Sequence, residues 1–191
     1  MNALIVSYLF FCYMAGNLMV AWFVGKRKGI NLQEHESGNL GARNAGRVLG
    51  KKAFLLVFLG DGLKGAIAVA LGRAIGLEEW VVASGAVFAI LGHLYPFWLK
   101  FRGGLGIATF IGAGIALDPI LFLGMVLGTA IGLPLLRSLT LSMLAGYAFY
   151  LGGFVLSGKA VLYSPMMVAI ILILWEHRDN LRKAWILKRK K

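Results

Sequence analysis

Two glycine-bearing, arginine-bearing segments hold most of the chemistry available to this 191-residue chain. The first reads Ser37-Gly38-Asn39-Leu40-Gly41-Ala42-Arg43-Asn44 and is followed by Arg47. Small residues leave backbone N–H groups open, Ser and Asn add side-chain donors, and arginine presents a forked set of charged donors. That composition suits a phosphate. The second segment, Lys100-Phe101-Arg102-Gly103-Gly104-Leu105-Gly106, leads into Ile107-Ala108-Thr109. A glycine turn feeding a helix start is a natural anion site, because unpaired N–H groups and the helix dipole point at it. Each segment alone reads more readily as a turn carrying topology-setting charge. Their recurrence, with a third polar stretch at Glu176-His177-Arg178-Asp179-Asn180, points to a phosphate-bearing substrate.

The remaining polar groups are fewer. Asp61 and Lys64 are three apart in an apolar stretch, on one helical face, and can pair. Such a pair is either a buried structural bridge or part of a site, since ionisable groups inside membrane helices are costly. His93, just before Pro96, reads as a hydrogen-bonded structural group, and His177 is better placed for chemistry. The three histidines are dispersed and Cys12 is the single cysteine, so no metal site and no internal disulfide are expected. Neither the nucleotide loop G-x-x-x-x-G-K-[ST] nor the nucleophile elbow G-x-S-x-G occurs. The positions five after each histidine are Leu40, Trp98 and Arg182, so the His-x4-Asp pair of acyl transfer is absent too. No cofactor is called for.

Positioning these groups falls to apolar elements. Hydrophobic residues make up 59% of the chain, only 15% are charged, and mean hydropathy is +0.78. A soluble domain has about a quarter of its residues charged, so the excess apolar surface requires lipid. The net charge of +12 does not imply nucleic acid, because it is split among short segments between apolar runs. Those runs cover residues 3–24, 53–75, 80–99, 107–117, 120–136, 139–156 and 160–175. About 20 apolar residues cross a bilayer, so the fourth run is short, tilted or partly re-entrant. Asp118-Pro119 separates it from the fifth. Alternating the loops gathers Lys26, Arg27, Lys28, Arg43, Arg47, Lys51, Lys52, Lys100, Arg102, Arg137 and the basic tail from Arg178 to Lys191 on one side. Only Arg73 and Lys159 fall opposite, with Lys64 inside a helix. The positive-inside rule makes the crowded side cytoplasmic. The expectation is one all-α membrane domain over residues 1–191, with seven transmembrane helices, the amino terminus outside and the carboxyl terminus in the cytoplasm. Gly124, Gly128 and Gly132 mark a face of the fifth helix for close packing.

The stretches SGNLGARNAGRVLGKK, GDGLKG, GHLYPFWLKFRGGLGIAT and EHRDNLRK, in this order, resemble the motifs of the bacterial acyl-phosphate-dependent glycerol-3-phosphate acyltransferases. With spans fitting between them, the resemblance covers nearly the whole chain. It implies a multi-pass inner-membrane enzyme of phospholipid synthesis with its active site facing the cytoplasm. Such an enzyme moves a fatty acyl group from acyl phosphate to the 1-hydroxyl of glycerol 3-phosphate, giving lysophosphatidic acid without metal, nucleotide or coenzyme A. A substrate phosphate oxygen has been proposed as the base in this family. By position, the resemblance makes Ser37, Asn39, His177 and Asn180 catalytic. It places Gly41, Arg43, Asn44, Arg47, Asp61, Lys64, His93, Arg102, Gly103, Gly104, Gly106, Thr109 and Ser142 around the substrates. Leu105 stands where the family has lysine, and Arg43 where it has a small hydroxyl or apolar residue. In one reading Arg43 restores the missing charge. A paralogue with another polyol phosphate as acceptor, or a non-catalytic lipid-phosphate binder, are the other readings that Leu105 allows.

Overall fold

The computed structural model describes residues 2–189. Lys190 and Lys191, the end of the basic tail, lie outside the described residues. Helices α1 (Asn2–Gly16), α2 (Val20–Arg27), α3 (Ala42–Leu49), α4 (Lys51–Ala74), α5 (Glu79–Leu94) and α6 (Ile107–Leu117) belong to a first compact unit. Helices α7 (Pro119–Leu136), α8 (Leu139–Leu156) and α9 (Ser164–Arg189) belong to a second, beginning at Asp118. Among the described residues there is no strand.

The run 3–24, expected as one helix, is broken at Asn17-Leu18-Met19. A break in an apolar span is tolerated only where the freed backbone groups find partners, and here they do. Lys64 Nζ donates to the carbonyls of Gly16 (2.9 Å) and Leu18 (3.0 Å), and Trp98 Nε1 donates to that of Asn17 (3.0 Å). The Asn17 side chain donates to the Tyr13 carbonyl (2.7 Å) and accepts the Phe97 N–H (2.9 Å). The third run, expected to be helical through residue 99, stops as an α-helix at Leu94. A short 3-10 turn, Phe97–Leu99, follows Pro96, and Lys100 and Phe101 both take positive φ (54° and 59°). The chain thereby doubles back, and Gly103 N–H and Gly104 N–H close on the Leu94 and His93 carbonyls, each at 3.0 Å.

Glycines set the helix spacing in this unit. A Cβ on Gly112 would fall on the Gly62 backbone, and one on Gly65 would fall on the Thr109 carbonyl, so α4 and α6 meet backbone to backbone. Helix α6, eleven residues long, rises only about 16 Å, against about 30 Å of hydrocarbon. Its last carbonyls would be orphaned, but Arg73 donates to Ala116 O (2.6 Å) and Leu117 O (2.7 Å) while also pairing with Glu79.

In the second unit, α7 starts where Asp118-Pro119 predicts it. Asp118 caps the Ile120 and Leu121 N–H groups at 3.1 Å each, and Pro119 takes the first helical position, where no N–H is needed. Burial alone would raise the Asp118 carboxyl pKa, but the Lys159 ammonium at 2.6 Å and the two capped amides hold it below the ordinary carboxylate value. Gly128 and Gly132 do face α8, against Ala145, Phe149 and Ser142, as the packing reading expects. The last apolar run begins as an α-helix only at Ser164 and continues past residue 175 as a single helix into the basic tail. Five stretches, Asn2–Arg27, Lys51–Ala74, Glu79–Leu99, Pro119–Leu136 and Leu139–Leu156, are long and apolar enough to cross a bilayer unaided. Helices α6 and α9 fall short of that measure, α6 by length and α9 by its charged second half.

Candidate active site

Ser37 is held by Asn44. Its N–H (3.1 Å) and its hydroxyl (2.9 Å) both donate to Asn44 Oδ1, and Asn44 Nδ2 donates to the Leu32 carbonyl at 2.9 Å. Asn44 is fully buried on the first turn of α3, so it acts as the brace of the loop and has both ends of its amide engaged. Ser37 itself is exposed, with oxygen lone pairs left for a ligand. Asn39 is half-buried, its Nδ2 sitting 2.9 Å from where a Cβ on Gly41 would lie. Gly41 is the N-cap of α3 and carries no side chain to occupy the open amides that follow. Arg43 and Arg47 are exposed, four apart on α3, and therefore share a face.

The second segment meets the first at Leu40, and the chain just ahead of the first at Gln33. Gln33 Nε2 donates to the Arg102 carbonyl at 3.2 Å, and Leu40 O lies 2.9 Å from where a Cβ on Gly104 would be. Because the amides of Gly103 and Gly104 are given to α5, these two glycines supply close approach rather than anion donors. Gly106 takes φ +79° to enter α6, which suits glycine. The N–H groups of the first turn of α6, Ile107 to Thr109, have no intrahelical acceptor, and these are the donors the segment keeps. Arg102 is exposed and Leu105 half-buried.

Beneath Gly104 lies a buried polar column. A Cβ on Gly104 would fall inside the His93 ring. His93 Nδ1 is 3.6 Å from Asp61 Oδ1, and Asp61 Oδ1 is 3.0 Å from Lys64 Nζ. All three residues are at most 5% exposed. Lys64 Nζ donates to Gly16 O and Leu18 O and stands 3.0 Å from Asp61 Oδ1 as an ion pair without an aligned hydrogen bond. His93 was expected to be hydrogen-bonded, yet among the described residues its Nδ1 has no hydrogen-bond partner, and neither do the Asp61 oxygens or Thr109 Oγ1.

The other residues assigned to the site belong to the second unit. Ser142 is fully buried on α8, with its proton given to the Ser138 carbonyl at 2.8 Å. His177 Nδ1 lies 3.0 Å from the Ile173 carbonyl. A carbonyl only accepts, so Nδ1 carries the proton and Nε2 of the neutral ring presents a lone pair. Burial lowers the His177 pKa, outweighing the Ile173 carbonyl and Glu176, and the ring is neutral at pH 7. Thr140, Met143, Leu144 and Tyr147 of α8 line a small cavity with it. Asn180 is exposed three residues further along α9, on the same side of the helix as His177.

Reading the residues missed Asn17, Trp98, Gln33 and Arg73. Each acts on backbone carbonyls or amides far away in sequence, at separations of 43 to 81 residues for the bonds named above. The one available signal was an amide side chain, Asn17, inside an otherwise apolar run. Among the described residues no cluster of three metal-ligating side chains occurs.

Comparison with known proteins places this arrangement. Residues 6–186 match the family model described as glycerol-3-phosphate acyltransferase. A glycerol-3-phosphate acyltransferase of Rubrobacter xylanophilus is 39% identical, the alignment covering 89% of this chain and 86% of the relative. One from Bacillus subtilis is 38% identical, covering 94% and 93%. The crystal structure of PlsY, an integral membrane glycerol 3-phosphate acyltransferase, in its glycerol 3-phosphate form superimposes with TM-score 0.87 at 29% identity, covering 96% of this chain and 93% of that one. The same protein in its lysophosphatidic acid form gives 0.85 at 28%. The chain belongs to the glycerol-3-phosphate acyltransferase family.

Proposed function

We propose that the protein transfers a fatty acyl group from acyl phosphate to the 1-hydroxyl of glycerol 3-phosphate, giving lysophosphatidic acid and inorganic phosphate. The observation that carries this reading is the meeting of two anion-type loops in one unit. Each is followed by a helix whose first amides are open, and together they bear exposed Arg43, Arg47 and Arg102. The acyl donor is a mixed anhydride and already activated, so no acyl-enzyme is required. The glycerol hydroxyl oxygen attacks the carbonyl carbon, the carbonyl–phosphate bond breaks, and the hydroxyl proton leaves with phosphate. The protein's task is to orient two anions and meet the charge that develops on the carbonyl oxygen. In this reading Ser37, Asn39, Arg43 and Arg47 bind phosphate, and His177 and Asn180 contribute a neutral Nε2 and an amide to the same reaction. Lys64, Asp61, His93, Asn44 and Gly104 support the loops.

Seven membrane crossings, with α6 and α9 added to the five unaided spans and the arginine-bearing loops in the cytoplasm, complete the proposal. The asymmetry of basic residues supports that orientation. Purified protein should turn over acyl phosphate and glycerol 3-phosphate in the presence of a chelator and without coenzyme A. Activity with acyl-coenzyme A alone, or with another polyol phosphate in preference to glycerol 3-phosphate, would overturn the donor or the acceptor respectively. Leu105, in place of a cation, favours the second of those outcomes as the reading to test against.

A further inference from the structure

We infer that Lys64 is a positioning residue for the second glycine loop, acting through Asp61 and His93 to set where Gly104 sits against Leu40. The inference rests on the acyltransferase reading only for its kinetic arm. Its basis is a continuous set of contacts. Lys64 Nζ holds the Gly16 and Leu18 carbonyls at 2.9 and 3.0 Å and stands 3.0 Å from Asp61 Oδ1. Asp61 Oδ1 stands 3.6 Å from His93 Nδ1, and the far edge of the His93 ring fills the space that a side chain at Gly104 would need. Gly104 N–H in turn closes on the His93 carbonyl, so one residue touches the loop by both its ring and its backbone.

The column therefore links the break between α1 and α2 to the loop leading into α6, and its top meets the Ser37–Arg43 loop at Leu40. Lys64 is turned toward Asp61 and the carbonyls at the α1–α2 break. A lysine in a phosphate-binding protein is ordinarily read as a ligand, but this one donates to two backbone carbonyls and is ion-paired with Asp61. Asp61 and His93 lack well-aligned hydrogen bonds of their own. Their arrangement is kept by electrostatics and packing, and the position of the Lys64 charge decides it.

The test uses full-length protein and the double variant Asp61→Asn/Lys64→Met, which removes both charges together so that neither is left buried and unpaired. Two readouts are taken beside wild type. Hydrogen exchange should quicken at residues 103 and 104, whose amides close on α5, while residues 120–136 of the second unit keep wild-type protection. The apparent KM for glycerol 3-phosphate should rise about tenfold, with a smaller change in KM for acyl phosphate. Unchanged exchange at 103 and 104 overturns the inference, as does faster exchange throughout the protein, which would mean general loosening. If wild type itself shows no acyl transfer, the acyltransferase reading fails, and the exchange result alone still decides the role of Lys64. Single Lys64→Met, with Asp61 left buried and unpaired, should unfold at lower temperature than the double variant. The reverse order would also count against the pair as described.

Discussion

In the proposed site the alcohol of Ser37 and the imidazole of His177 are held in different ways. Ser37 is braced from behind by Asn44, so Ser37→Ala removes the proposed site oxygen while leaving the Asn44–Leu32 bond intact. We expect a loss of at least about tenfold in kcat/KM, on the scale of a lost transition-state donor, with normal folding by thermal shift. Full activity would exclude Ser37 from the site. For His177, burial favours the uncharged ring, so protonation is resisted as pH falls through about 6.5. The sign is that of a depressed pKa: the described arrangement keeps its stability above the ordinary imidazole value and loses it below. Imidazole nitrogen shifts should report a neutral Nδ1–H ring at pH 7 that titrates below 6.5, and titration above that value would contradict the assignment. Arg43 and Leu105 pose a paired question. Arg43→Ala should raise the KM for glycerol 3-phosphate at least about tenfold, and adding Leu105→Lys should return part of the loss, since arginine and lysine can meet one phosphate from neighbouring loops. A double variant no better than Arg43→Ala would remove the idea of exchange between the two positions.

At the scale of elements, the caps and breaks decide what is rigid. Asp118→Ala removes an N-cap and should cost about 1 kcal/mol, read as a lower unfolding temperature in detergent at pH 7. Because the folded Asp118 pKa lies below its ordinary value, the gap between wild type and the variant should narrow as pH falls through about 4. A gap independent of pH would mean that the carboxylate is not the source of the stability. This start of α7 was legible in the sequence, as were the glycine face of α7 and the Asp61–Lys64 pairing. All of them are local patterns, written in residues three or four apart or adjacent. The break at Asn17 was not legible, because its partners are Lys64, Phe97 and Trp98, and no periodicity announces a carbonyl capped from another helix. The turn after Leu94 and the spent amides of Gly103 and Gly104 escaped for the same reason. A glycine pair looks alike in sequence whether its N–H groups face a phosphate or the end of the preceding helix. Asn44 likewise sat among the substrate positions by motif, and only its contacts show it facing inward.

For the molecule as a whole, the segregation of charge carries the prediction. A reporter fused ahead of Asn2 should be outside and one fused after Lys191 in the cytoplasm, as an odd number of crossings requires. Both ends on one side would remove the seven-crossing proposal while leaving the family assignment untouched. The five unaided spans by themselves also make an odd number, so the fusions at the termini need internal ones, at residue 118 and near residue 159, to separate five from seven. Both internal reporters outside would support seven.

The short helix α6 has a consequence for how the chain enters the bilayer. A segment of eleven residues is a poor solo passenger for the insertion machinery, and its trailing carbonyls are tied to Arg73, more than forty residues earlier. The arginine is thus synthesised and threaded before the helix that needs it. In the seven-crossing proposal helix α6 enters against a neighbour already in place, fitted to α4 by its glycines, instead of partitioning into lipid alone. Order of synthesis becomes part of the fold: a permuted chain that delivers α6 ahead of α4 should leave it stranded at the surface, where an added protease site within it would be cut.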